Sequence, residues 1–169
     1  MLSSCHQFKQ IDDYGFEVGA IYDSIQQIAL ETRIDHRFIL AIVLQESGGC
    51  VRAPTTNGGV KNPGLMQDHN GAGTCNGDGR VLAPCPRNVI ARMIRDGSAG
   101  TATGDGLAQC INKSKANDTA AFYKAARIYN SGSIDASGDL GRGVATQCYV
   151  SDIANRLTGW VHAPHGCTL

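Results

Sequence analysis

The sequence predicts a mainly α, single-domain protein on three observations. Apolar residues recur at helical spacing through most of the chain, strand-like alternation is thin, and no internal repeat or long linker divides it. A length of 169 residues is that of one domain and is enough to bury a sizeable core. Gly-rich stretches predict long loops, and a short β-hairpin is expected near Val60 and Leu65 to Gln67.

Residues 1–15 read as an N-terminal extension to a domain that spans the whole chain, 1–169. Ile21, Ile25 and Ile28 stack on one helix face. Asp35 is placed to cap a second helix, whose run Phe38 to Leu44 is apolar all round and therefore buried. Pro86 sits where a first helical turn tolerates proline, ahead of the apolar face of Ile90, Met93 and Ile94. Asp118 can cap a segment carrying Ala121, Phe122, Ala125 and Ile128, which Gly132 would end. A last helix is expected from about Gly143 to Thr158, burying Ala145, Cys148, Tyr149, Ile153 and Leu157.

Seven cysteines scattered through so short a chain indicate an oxidising compartment, hence a secreted protein with disulfide-tied loops. Three disulfides and one remaining thiol would account for them, with the pairing open. The first residues lack the apolar core of a secretory signal, which predicts a mature form whose signal has been removed. Asn112-Lys113-Ser114 and Asn117-Asp118-Thr119 fit the N-glycosylation pattern of a eukaryotic secreted protein. Zero formal charge and a pI near 6.9 leave no electrostatic footprint for nucleic acid or an acidic membrane, and no stretch approaches the roughly 18 apolar residues of a span. Arg87, Arg92 and Arg95 read as a solvated helix face. His162, His165 and Cys167 crowd the tail without a second ligand cluster, so a disulfide-anchored tail is expected there, with no metal and no cofactor. A single small cleft protein is expected to be a monomer.

The chemistry concentrates at Glu46, where the buried helix ends in Ser47-Gly48-Gly49. Partial desolvation and the negative end of the helix dipole both disfavour the anion, so its pKa should be raised. A carboxylic acid still protonated near neutral pH can donate to a leaving oxygen, as a glycosidase requires. The plain alternative is a solvated glutamate at a frayed helix end.

Further along stand Gly64-Leu65-Met66-Gln67 and then Tyr129-Asn130-Ser131-Gly132. Glu-Ser, Gly-Leu-Met-Gln and Tyr-Asn-Ser-Gly, in this order, resemble the soluble lytic transglycosylase and goose-type lysozyme group, glycoside hydrolase family 23. The resemblance runs from about Ile34 to Trp160 and implies a lysozyme-like domain acting on peptidoglycan. It implies Glu46 as general acid, with Ser47, Gln67, Tyr129, Asn130 and Tyr149 binding substrate. Leu65 and Met66 are expected under the cleft floor. Inverting glycosidases place a second carboxylate roughly 6.5 to 9.5 Å from the acid to activate water. Here Val51 to Pro63 contains no Asp or Glu, and Asp68, directly after Gln67, is the remaining catalytic candidate, one residue short of the usual register. The resemblance implies a muramidase cutting the β-1,4 bond between N-acetylmuramic acid and N-acetylglucosamine. Three alternatives stay open: a transglycosylase using Glu46 alone to give anhydro products, a hydrolase of chitin or chitooligosaccharide, and a non-catalytic effector that binds wall fragments.

Overall fold

The structure is a computed structural model that describes residues 1–163. A 3-10 helix, Ser4–Phe8, opens the chain, followed by helices α1 (Gly15–Thr32) and α2 (His36–Ser47). Two antiparallel hairpins come next, β1 (Thr56–Asn57) with β2 (Lys61–Asn62) and β3 (Asn76–Gly77) with β4 (Arg80–Val81). The rest is helical: α3 (Arg87–Ala99), α4 (Leu107–Lys113), α5 (Ala120–Ser131) and α6 (Tyr149–Leu157). The protein is thus mainly α, with two small hairpins among the described residues.

Helix α2 organises the core because its residues are apolar on nearly every face. Phe38, Ile39, Ala41, Ile42 and Val43 are all buried along it. α1 and α6 pack against α2, α1 also packs along α3, and α4 and α6 pack on α5. The Asp35 carboxylate accepts from the Arg37 amide at 2.8 Å and so caps the start of α2, as its sequence position predicts. At the other end Gly48 takes a left-handed conformation, its amide donating to the Leu44 carbonyl, and stops the helix one residue after Ser47. Glu46 is therefore delivered in the last turn of this core helix.

The N-terminal residues are built into the domain. Cys5 is disulfide-bonded to Cys50. Arg52, with no exposed surface, reaches back to hold them: Nε donates to the Ile11 carbonyl and Nη2 to the Asp12 carbonyl, both at 2.8 Å. Its guanidinium also grips Glu17 through two 2.8 Å bonds, so the buried charge is paired. Cys75–Cys85 closes the second hairpin, Cys110 is a free buried thiol and Cys148 is disulfide-bonded. Within the metal candidate at the tail, His165 and Cys167 lie outside the described residues. The grouping of ligand-type side chains that does occur among the described residues, Cys5, Asp13 and Cys50, contains a disulfide and offers no thiolate to a metal.

Local structure departs from the sequence expectations at four places. The first hairpin turns through Val60, but Leu65 to Gln67 form a turn and not a strand. A second hairpin lies in a Gly-rich stretch read as loop, and the short helix α4 had no counterpart in the sequence expectations. α5 begins at Ala120, with Thr119 at the cap position and the Asp118 carboxylate bonding the Ala120 amide. α6 starts at Tyr149, well after Gly143, whose φ of 139° cannot continue a helix. Ala145 and Cys148 accordingly lie half-buried ahead of the helix, whereas Tyr149 and Ile153 are buried as expected and Leu157, its last residue, is half-buried against the core.

Candidate active site

Glu46 is half-buried, and its Oε1 accepts a 2.5 Å hydrogen bond from the Tyr149 hydroxyl. Burial raises its pKa to about 7, against the opposing pull of the tyrosine bond, which favours the anion. Tyr149 comes from the first turn of α6, so the α2–α6 contact sets this pair. Burial and the neighbouring Glu46 hold the Tyr149 hydroxyl well above the ordinary tyrosine range, so it stays protonated and donates.

Behind Glu46, Ser47 joins α2 to the Gly-Leu-Met-Gln segment. Its buried hydroxyl reaches the Leu65 carbonyl at 2.8 Å and the Val43 carbonyl at 3.0 Å. Leu65 and Met66 are fully buried beneath the cleft, as expected. Tyr129, from the end of α5, donates to the Met66 carbonyl at 2.8 Å, which fixes its ring in the cleft wall. Gln67 also lines the cleft, but its amide is occupied: Nε2 donates to the Pro54 and Gly64 carbonyls, and Oε1 accepts from Thr56 at 3.0 Å. It braces the first hairpin and makes no hydrogen bond to Glu46. Its φ of 45° is a strained conformation for a non-glycine residue, of the kind that clusters at functional sites.

A cavity of about 900 Å³ is lined by Gln67, Tyr129 and Asn130 together with Asn62, His69 and Gln109. Asn130 is aimed by a residue the sequence reading passed over. Arg127, with no exposed surface, donates from Nη2 to Asn130 Oδ1 at 3.0 Å and to the Thr146 carbonyl at 2.6 Å. A guanidinium only donates, so the carboxamide oxygen faces inward and the NH₂ group is left for the cleft. The available signal was a charged residue inside the apolar face of α5, between Ala126 and Ile128.

Glu46 does not line this cleft. It lines a second cavity of about 520 Å³, shared with Gln45, Ser47, Gly48 and the N-terminal residues Ser3 and Gln7. Burial holds the Tyr129 hydroxyl well above the ordinary tyrosine range, and the nearby charges of Asp68 and Glu46 add to the shift. Glu46, Tyr149, Ser47, Tyr129, Asn130 and Gln67 thus gather around one region of the molecule.

Asp68 is different. It is 2% exposed, lines neither cavity, and both carboxylate oxygens are buried without a hydrogen-bond partner. Burial, with a further push from Asp96, raises its pKa to about 7. A carboxyl sealed in this way faces neither cavity in which a substrate would sit.

No protein-family model matches the chain, and neither a curated protein nor a solved structure shows significant similarity to it.

Proposed function

We propose that the protein is a secreted glycosidase of the family 23 type, a muramidase-like enzyme that cleaves the β-1,4 bond of peptidoglycan with Glu46 as general acid. One observation carries the reading: a carboxyl group at a cavity edge, raised to about 7 by burial and held by a protonated tyrosine. Such a group keeps a transferable proton near neutrality and is oriented to give it up. Asn130 offers its amide hydrogens to a sugar oxygen, while Gln67 and Tyr129 shape the wall.

The burial of Asp68 favours a particular route within this chemistry. With Asp68 away from both cavities, Glu46 is the carboxyl placed to act, first as acid and then as base. That is the transglycosylase sequence, in which the substrate's own 6-hydroxyl attacks and an anhydro end forms. Mass spectrometry of soluble products from purified peptidoglycan, with the protein and its Glu46→Gln variant in parallel, tests both levels. Products from the parent, with loss of about 10² to 10⁴ in rate for the variant, are expected. Anhydro ends support the single-carboxylate route, and reducing ends return Asp68 to consideration. Full activity of the variant defeats the assignment, and release from chitooligosaccharide alone replaces the substrate.

A further inference from the structure

Glu46 and the sugar-holding residues occupy different cavities, and the glycosidase reading requires one substrate to reach both. A proton delivered to a bridging oxygen needs a sugar on each side of that oxygen. Gln67, Tyr129 and Asn130 account for one side, in the larger cleft. We propose, resting on that reading, that the 520 Å³ cavity beside Glu46 is the carbohydrate subsite across the cleaved bond, and that the N-terminal segment, together with Val161 to Ala163, forms its outer wall.

The lining has the character a hexosamine needs. Leu40 and Leu44 line it with apolar surface for the C–H face of a ring, while Gln7, Gln45, Arg156 and His162 supply polar groups for its hydroxyl and acetamido substituents. A cavity of this size lies within the range of small-ligand sites, about 300 to 1,000 Å³. The wall is also held in place before any ligand arrives. The Cys5–Cys50 disulfide pins it, Arg52 bonds the Ile11 and Asp12 carbonyls, and the Gln7 amide reaches the Ser47 carbonyl at 3.4 Å. Preorganisation of this kind lowers the ordering cost of binding.

The two glycines after Glu46-Ser47 record the same arrangement in the sequence. A side chain at Gly48 would meet Gln7 Nε2 at 2.7 Å, and one at Gly49 would meet Met1 Cγ at 2.8 Å. Their φ values of +64° and +84° also exclude most side chains. Those contacts are with flexible side chains that can move, so it is the left-handed backbone that calls for glycine at Gly48 and Gly49, with the Gln7 and Met1 side chains packed over it.

Filling the cavity tests the proposal. Gln7 is exposed, so Gln7→Trp should fold and should narrow the space beside Glu46. With chitohexaose and with a muropeptide tetrasaccharide as defined substrates, the variant is expected to raise KM about tenfold and to move the preferred cleavage position by one sugar. In parallel, NMR titration of the Glu46→Gln protein with the same two oligosaccharides should shift the backbone amide signals of Ser3, Ser4 and Gln7 together with those of Gln67 and Asn130. Shifts confined to Gln67, Tyr129 and Asn130, or an unchanged cleavage position in Gln7→Trp, overturn the subsite and leave the glycosidase reading intact. Absence of any shift with either oligosaccharide overturns both.

Discussion

Burial and Tyr149 act on the Glu46 proton in opposite directions, and burial wins, leaving the pKa at about 7. A general acid works only while protonated, so activity should fall as pH rises through about 7. Tyr149→Phe removes the hydrogen bond that favours the anion and leaves the burial in place. Its alkaline limb is therefore expected at higher pH than the parent's, read from kcat/KM against pH. A limb displaced to lower pH would show that the tyrosine does not stabilise the carboxylate. Arg127 permits a second test at this scale. Two of its guanidinium nitrogens, Nε and Nη1, are buried without partners, so its charge is poorly compensated where it lies. Arg127→Met should change the melting temperature by only a few degrees while raising KM several-fold, because Asn130 loses the bond that orients its amide. In an Asn130→Ala background the same substitution should add nothing further to KM, a coupling that a double-mutant cycle reads directly.

At the scale of elements, the parts of the site with a strong local cause were readable and the parts set by tertiary contact were not. The apolar run from Phe38 and the cap at Asp35 announced α2, and with it the placement of Glu46. Gly132 announced the end of α5 beside Tyr129 and Asn130. The burial of Asp68 was not readable, since an aspartate after glutamine carries no sign of the packing around it. Nor was the position of the first residues, which depends on Cys50 and Arg52 some forty positions away. α6 was placed too early because Ala145 and Cys148 fit a helical spacing, whereas Gly143 and the bond from Arg127 to the Thr146 carbonyl hold that stretch in turns. Gly64 shows how one element supports the site. Its φ of +74° is left-handed, and a Cβ there would stand 2.8 Å from the Gly73 carbonyl and 2.7 Å from Met93 Cγ. Gly64→Ala is expected to cost about 1 to 3 kcal/mol in urea unfolding and to weaken activity by loosening Leu65 and Met66 under the cleft. An unchanged unfolding midpoint would mean that the segment relaxes freely and does not support the cleft.

The buried carboxyls give the whole molecule a distinctive dependence of stability on pH. Asp68, Glu46 and Asp13 are raised to about 7, about 7 and about 6, each chiefly by burial, from ordinary values of 3.8, 4.5 and 3.8. A carboxyl whose pKa is raised on folding binds its proton more tightly in the folded state. The stability linked to it is then fullest below the unfolded value and is lost as pH rises through the folded one. Between about pH 4 and 7 these groups therefore make the protein less stable as the solution becomes less acidic. For Asp68 the shift corresponds to roughly 4 kcal/mol, at about 1.4 kcal/mol per pH unit. Asp35 runs the other way: the hydrogen bond from Arg37 lowers it to about 2, so its contribution is lost only in stronger acid. The thermal midpoint should accordingly peak near pH 4 to 5 and decline toward pH 8. Asp68→Asn keeps the shape and removes the charge, so it should raise the midpoint at pH 8 by several degrees and leave it nearly unchanged at pH 4. Calorimetry at the two pH values decides it. A variant destabilised equally at both would mean that Asp68 is ionised and satisfied in the folded protein, and would reopen its candidacy as a carboxylate base.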